Sequence, residues 1–436
     1  MRTQRAAISL VAAAVLMMAP TVAQAQYELW ETDRSYAEIG SNVQFFGAYM
    51  DLRNLDEFRE LEPVYPGIGE MPSGGRLGGG VGRLEWYLEL GERVDVNLHN
   101  RFVWERSELD FGFESEDLAL PGLEVSPGAD RRVDTRYDLV EGDDFRLTHD
   151  IDRLVAGVYF DAFDLYLGRQ AIRWGVSDIF PVADRFAPLS PFELDTVQRR
   201  GIDAGRMVAL LLPELELDVV VADRGEDEPV SFGAKTEYTG VDFTAYAGGG
   251  RFWERVSAMG GFSWLTEDWK LFTEAEVLWN LDDDQWDRPR VTTGIQRVAM
   301  EYQVGVEYHY NGFGVEFRDD YVDALGADEM ARGETYFMGR HYLGAQGMYM
   351  IEPEFRLGGG VIMNVLDPSV VVFPSARYEL DDQISVGAGA YVGIGEEPEV
   401  DMGALAPDGD EEDLLTFPSE YGLTSNLYFL EATVYF

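Results

Sequence analysis

Residues 166–175 read YLGRQAIRWG, and they place Arg169 and Arg173 four apart among aromatic and aliphatic neighbours. The stretch that follows, VSDIFPVADRFAPLSPFELDTVQRR, carries the carboxylates Asp178, Asp184, Glu193 and Asp195 and ends on Arg199 and Arg200. Guanidiniums set against carboxylates across a narrow aqueous passage produce a transverse field. Such a field favours small polar solutes over apolar ones. Three prolines, Pro181, Pro188 and Pro191, stiffen this stretch and argue against a floppy surface loop. Hydrolytic chemistry has less support. The histidines His99, His149, His309 and His341 are scattered, and no Gly-x-Ser-x-Gly or His-Glu-x-x-His pattern occurs. Acidic stretches such as GEEPEVDMGALAPDGDEED (395–413) offer hard oxygen ligands, but none follows an ordered calcium-loop pattern. No cofactor and no metal are expected.

What positions these residues is a chain of alternating strands. Leu84, Trp86, Leu88 and Leu90 alternate with Arg83, Glu85, Tyr87 and Glu89. Val298, Met300, Tyr302, Val304, Val306, Tyr308 and Tyr310 form one face, opposed by Arg297, Glu301, Gln303, Glu307 and His309. Asn311-Gly312 then reads as a two-residue hairpin turn, with Phe313, Val315 and Phe317 continuing the apolar face. The same period of two recurs in Trp269–Trp279, Phe355–Val365 and Ile384–Ile394. Segments of this kind number about eighteen over the chain. Short connections (near Gly91, Ala162, Pro213, Gly240, Glu267, Gly312, Pro353 and Asp381) take turns with long acidic ones (about 53–75, 106–143, 175–199, 280–292, 324–333 and 395–420). The long loops therefore emerge at one end of an up-and-down sheet.

Composition selects the environment. The formal net charge is −46, with two lysines and no cysteine. That charge excludes a basic nucleic-acid surface, and without cysteine no disulfide holds the fold. Arg2 and Arg5 precede an apolar run from Ala6 to about Pro20, and Ala23-Gln24-Ala25 completes a secretory signal peptide over 1–25. Residues 26–42 then read as a short periplasmic segment and 43–436 as the barrel. A closed sheet of sixteen to eighteen strands encloses an aqueous channel. Its polar face must point inward and its apolar face towards lipid, where only a closed barrel pairs every backbone group. Trp269 and Trp279 share a face ten residues apart. That is roughly 33 Å of strand, or about 25 Å of membrane after tilting, the height of an apolar band with its two aromatic girdles.

The chain ends NLYFLEATVYF, an amphipathic strand with Tyr428, Leu430, Ala432, Val434 and Phe436 on one face. This resembles the signal that bacterial outer-membrane barrels present to their assembly machinery. With the signal peptide and the even strand count, the chain resembles Gram-negative outer-membrane porins and channels over its whole mature length. GRQAIRWG also resembles a stretch seen in some large single-chain barrels, including alginate-export-like ones. It departs from those exporters at Trp174-Gly175, so their substrate is not carried over. The resemblance implies an all-β transmembrane antiparallel barrel of 16–18 strands in the outer membrane, surrounded by lipid and lipopolysaccharide. It implies a channel for small polar solutes and leaves a homotrimer open. The alternatives are a transporter for a specific substrate, hydrophobic or an acidic polymer, and a structural or adhesive barrel acting through its acidic loops.

In that setting an arginine near the lipid midplane costs roughly 2–4 kcal/mol. Arg169, Ala171 and Arg173 are therefore expected to face the lumen. Gly168, Gln170, Ile172 and Trp174 are expected to face outward, with Gln170 near an interface. Residues 176–199 are expected to enter the lumen and narrow it, with their carboxylates facing Arg169 and Arg173 across the gap.

Overall fold

The computed structural model describes residues 26–32, 35–63, 72–108, 131–142, 145–188, 190–191, 199, 201–225, 228–405 and 414–436. Eighteen strands form the wall. The first six are β1 (Ser35–Asp51), β2 (Gly74–Leu90), β3 (Val94–Ser107), β4 (Phe145–Tyr159), β5 (Asp164–Gln170) and β6 (Ile202–Leu212). Then come β7 (Leu215–Ala222), β8 (Ser231–Thr239), β9 (Phe243–Phe252), β10 (Arg255–Leu265), β11 (Trp269–Asn280) and β12 (Arg290–Val298). The last are β13 (Tyr302–Tyr310), β14 (His341–Glu352), β15 (Phe355–Asn364), β16 (Val370–Glu379), β17 (Ile384–Ile394) and β18 (Asn426–Tyr435). Each pairs antiparallel with the next, and β18 returns to β1 from Asn42↔Tyr435 to Asp51↔Asn426. The result is a closed up-and-down barrel with no open edge in its closed ring.

Residues Gln26–Thr32 form a further strand, a hairpin with Ser35–Gly40 of β1. The closing pairs to β18 begin just beyond it, at Asn42.

The alternation in the sequence becomes two surfaces. On β11, Trp269, Leu271 and Val277 are exposed, while Phe272, Glu274, Glu276 and Leu278 are buried. On β13, Val304 and Val306 are exposed, while Glu307 and His309 are buried. On β18, Tyr428 and Leu430 stand outside. An apolar outer surface over a polar, covered inner one is the arrangement of a transmembrane barrel. Among the described residues no helix is long and apolar enough to cross a membrane.

Two details correct the sequence reading. Residues 297–310 are not one strand. A tight turn at Ala299–Glu301 separates β12 from β13, with the Ala299 N–H donating to the Tyr302 carbonyl. Nor is Asn311-Gly312 a hairpin turn. The Asn311 side chain is fully buried and its amide donates to the Phe337 and Gly339 carbonyls and to Thr335 Oγ1. It thereby ties down both ends of a long segment, 311–340, that carries α1 (Tyr321–Leu325) and α2 (Asp328–Ala331). The removed turn and the added one cancel, so the strand count is unaffected.

The lumen is not simply polar. One apolar cluster joins Met50, Leu55, Ile179, Phe180, Phe337, Tyr342, Tyr391 and Tyr421. A second joins Ile172, Trp174, Phe186, Val220, Phe252 and Trp253. Both draw on segments folded in from the wall.

Candidate pore-lining site

The wall strand β5 is only seven residues long. It covers β4 from Leu154 to Tyr159 and then stops at Gln170. The next stretch of β4, Phe145–His149, pairs instead with a short strand Tyr137–Gly142 from the preceding loop. That earlier segment repairs the wall where β5 leaves it, and the chain after Gln170 is free to turn inward.

Arg169 sits at this junction, almost fully buried. Its guanidinium donates to Asp203 at 2.9 and 3.1 Å, to Thr135 Oγ1, to the Ile151 carbonyl at 2.8 Å and to the Val133 carbonyl. Asp150 lies 3.7 Å away. Arg169 therefore does not line open lumen: its hydrogen-bonding capacity holds β6, β4 and residues 133–135 together. Arg173 behaves differently. Its side chain is 49% exposed, 3.7 Å from Asp178, and it donates to the Ser177 carbonyl at 3.1 Å.

Trp174 does not face lipid. It is 1% exposed, stacked edge-on against Phe186, and its indole N–H donates to Asp218 Oδ2 at 2.9 Å. The expected facing is already reversed within β5, where Leu167 is exposed and Gln170 buried, and past Gln170 no strand sets an alternation. Gln170 is likewise enclosed, its amide donating to the Ala204 carbonyl at 3.2 Å.

From Val176 to Phe186 the chain runs along the lumen face of β11–β13. Glu307 accepts the backbone N–H groups of Asp178, Ile179 and Phe180 and the Ser177 hydroxyl. Glu274 accepts the N–H groups of Val176 and Val182 and the Tyr246 hydroxyl. Thr292 and Arg290 donate to the Phe180 and Val182 carbonyls. Two wall carboxylates thus satisfy a run of backbone donors that would otherwise be orphaned inside. Gly175 is required at the entry. Its φ is +101°, and a Cβ there would lie 2.9 Å from Glu274 Oε2.

The two described carboxylates of this segment, Asp178 and Asp184, are paired nearby and do not face the two arginines across a gap. Asp178 pairs with Arg173 and accepts from Gln296 at 3.0 Å. Asp184 pairs with Arg199. Burial pushes the Asp184 carboxyl up to about 6, against the opposing pull of the Arg199 guanidinium. Glu193, Asp195 and Arg200 lie outside the described residues.

The sequence reading passed over the groups that anchor this site. Arg185, between its acidic neighbours, reaches Glu276 at 3.4 Å on the wall and Glu334 in segment 311–340. Arg290 joins Glu276 at 3.2 Å. Arg255 holds Asp287 at 2.6 Å and also Glu254 and Glu329. The guanidiniums of Arg185, Arg255 and Arg290 surround the Phe313 ring at 5.0–5.6 Å. The signal available was the run Glu274-Ala275-Glu276, which puts two carboxylates on the polar face of one middle strand. Among the described residues no cluster could hold a metal ion.

No protein-family model matches the chain, and no curated protein matches it. Solved structures do. Pseudomonas aeruginosa OccK8 (OprE) superposes with a TM-score of 0.52 at 8% identity, over 91% of this chain and 97% of that one. Pseudomonas aeruginosa OpdO gives 0.52 at 9% identity, over 92% and 96%. Pseudomonas aeruginosa OpdQ gives 0.51 at 10% identity, over 93% and 98%. At such identities the likeness is one of fold: a large single-chain barrel of the outer-membrane porin type.

Proposed function

We propose that this chain is an outer-membrane channel for passive diffusion of small polar solutes, with segment 176–199 as the constriction. The observation that carries the reading is the inward course of 176–186 over the lumen face, which leaves Arg173 as a half-exposed guanidinium beside Asp178. The interlock with segment 311–340 through Arg185 and Glu334 favours a narrow, selective path over a wide one. A catalytic role draws no support from His309, which is stacked on Phe180 and bonded to Thr292. Lipopolysaccharide around the long loops, the assembly machinery at the strand ending in Phe436, and a homotrimer belong to the same proposal.

Planar-bilayer recording tests it. The purified barrel should give discrete conductance steps, and Arg173→Glu should shift the reversal potential in a salt gradient towards cation selectivity. A barrel that conducts nothing overturns the channel; an unchanged selectivity overturns the role of Arg173.

A further inference from the structure

The outer wall carries a groove that the channel reading does not use. Across five neighbouring strands, one register row reads Arg297↔Val304, Val304↔Gly347, Gly347↔Gly359 and Gly359↔Pro374. Two consecutive glycines remove the side chains from the middle of this row. The row on one side is Tyr302, Tyr349 and Leu357, and on the other Val306, Ala345, Val361 and Val372. The outcome is an apolar trough of about 450 Å³ whose lining includes Tyr302, Val304, Gly347, Tyr349, Gly359 and Pro374.

Elsewhere on the outer wall a comparable bare row is filled from within the protein. The Trp104 ring lies over Gly80, where a Cβ would come within 2.3 Å of it, and Trp104 packs against Phe45. Over Gly347 no ring comes close: the nearest atoms to a Cβ there are the Gln303 carbonyl and Val304. The trough is therefore open to whatever surrounds the barrel.

One end of the row carries a cation. The Arg297 side chain is 40% exposed, 3.4 Å from Asp268, and its guanidinium lies 5.4 Å from the Trp269 ring and 5.5 Å from the Tyr302 ring. Arg297 stands next to the tight turn at 299–301, and tight turns mark the periplasmic rim of such barrels. Past Val304 the row stands back from that rim. Val304 is two residues past the start of β13, whereas Gly347 is five residues short of the end of β14, Gly359 four past the start of β15 and Pro374 five short of the end of β16. The row thus leads from the interface into the hydrocarbon. Four strand spacings make it about 19 Å long, the scale of an extended acyl chain.

We infer that this trough is a binding site for one phospholipid of the periplasmic leaflet, its phosphate on Arg297 and one acyl chain laid over Gly347 and Gly359. Arg297 between two interfacial aromatic rings supplies the charge complement, and the missing side chains supply the seat. The bare row is one residue wide between Tyr349 and Leu357 on one side and Ala345 and Val361 on the other, a width that suits a single chain.

Native mass spectrometry of the detergent-purified barrel, with added phosphatidylglycerol or phosphatidylethanolamine, tests this. Arg297→Gln should lower the retained phosphatidylglycerol at least fivefold. Val304→Trp fills the trough without a backbone demand and should lower retention of both lipids. Val256→Trp, on the exposed outer face of β10, serves as the control and should change nothing. Heat-modifiable gel mobility confirms that each variant is folded. Equal retention in all folded variants overturns the site, leaving unselective annular lipid. A dimer or trimer mass lost with Val304→Trp while lipid stays bound also overturns it, in favour of a contact between copies.

Discussion

Arg169 and Arg173 are alike in sequence and opposite in physics. Arg169 is buried against Asp203, Thr135 and two carbonyls, so removing it strands charge and acceptors together. Breaking a buried pair from one side costs about 3–5 kcal/mol. Arg169→Ala should lose stability on that scale in a urea titration followed by gel mobility. Arg173→Ala should stay within about 0.5 kcal/mol, as expected of a solvated partner. A second residue sets a pH dependence. Glu420, on the short helix α3 (Glu420–Leu423), accepts from the Met338 N–H, Tyr342 and Asn364. Burial raises its carboxyl from 4.5 to about 7. The folded state then holds the proton more tightly than the unfolded one. The stabilisation is complete below 4.5 and is lost as pH rises through about 7, a difference of about 3 kcal/mol. Hydrogen exchange in 414–424, corrected for intrinsic rates, should be slower at pH 5 than at pH 8. Glu420→Gln keeps an acceptor for Met338 and should flatten that dependence.

At the scale of elements, the wall strands were legible because each faces two solvents. Lipid outside and polar contacts inside impose a period of two that survives in β11, β13 and β18. The inward segment was legible only in part. Its prolines and its charge marked it, but Ile172 and Trp174 suit a packed interior as well as they suit lipid. Only where β5 ends distinguishes the two, and that depends on residues 131–142 closing the wall, a contact between distant parts of the chain. The Asn311-Gly312 turn misled for the same reason: the partners of Asn311 are 24–28 residues away. The inward segment also makes its own prediction. Trp174→Ala removes a buried indole from the second apolar cluster and leaves Asp218 to Arg206 alone. It should cost about 3–5 kcal/mol and raise single-channel conductance as the segment loosens, whereas Trp174→Phe should do less of both.

At the scale of the molecule, the fold depends on which side of the wall water is. The net charge of −46 and the exposed Leu, Val and Trp side chains belong to different regions of one surface, and only a band of hydrocarbon reconciles them. Val306 is the middle residue of β13 and is exposed outward, while Met300 is 96% exposed on the tight turn at the rim. Depth should therefore decide the effect of a charge. Val306→Arg should cost about 2–4 kcal/mol in equilibrium unfolding from lipid vesicles, and Met300→Arg about 0–1 kcal/mol. A barrel with its apolar face in water would show a small effect at both positions. In detergent micelles, where the apolar layer is thin and deformable, the gap between the two variants should shrink. The vesicle measurement therefore separates a depth-dependent cost from a local steric one, because a steric clash at Val306 would persist in both environments.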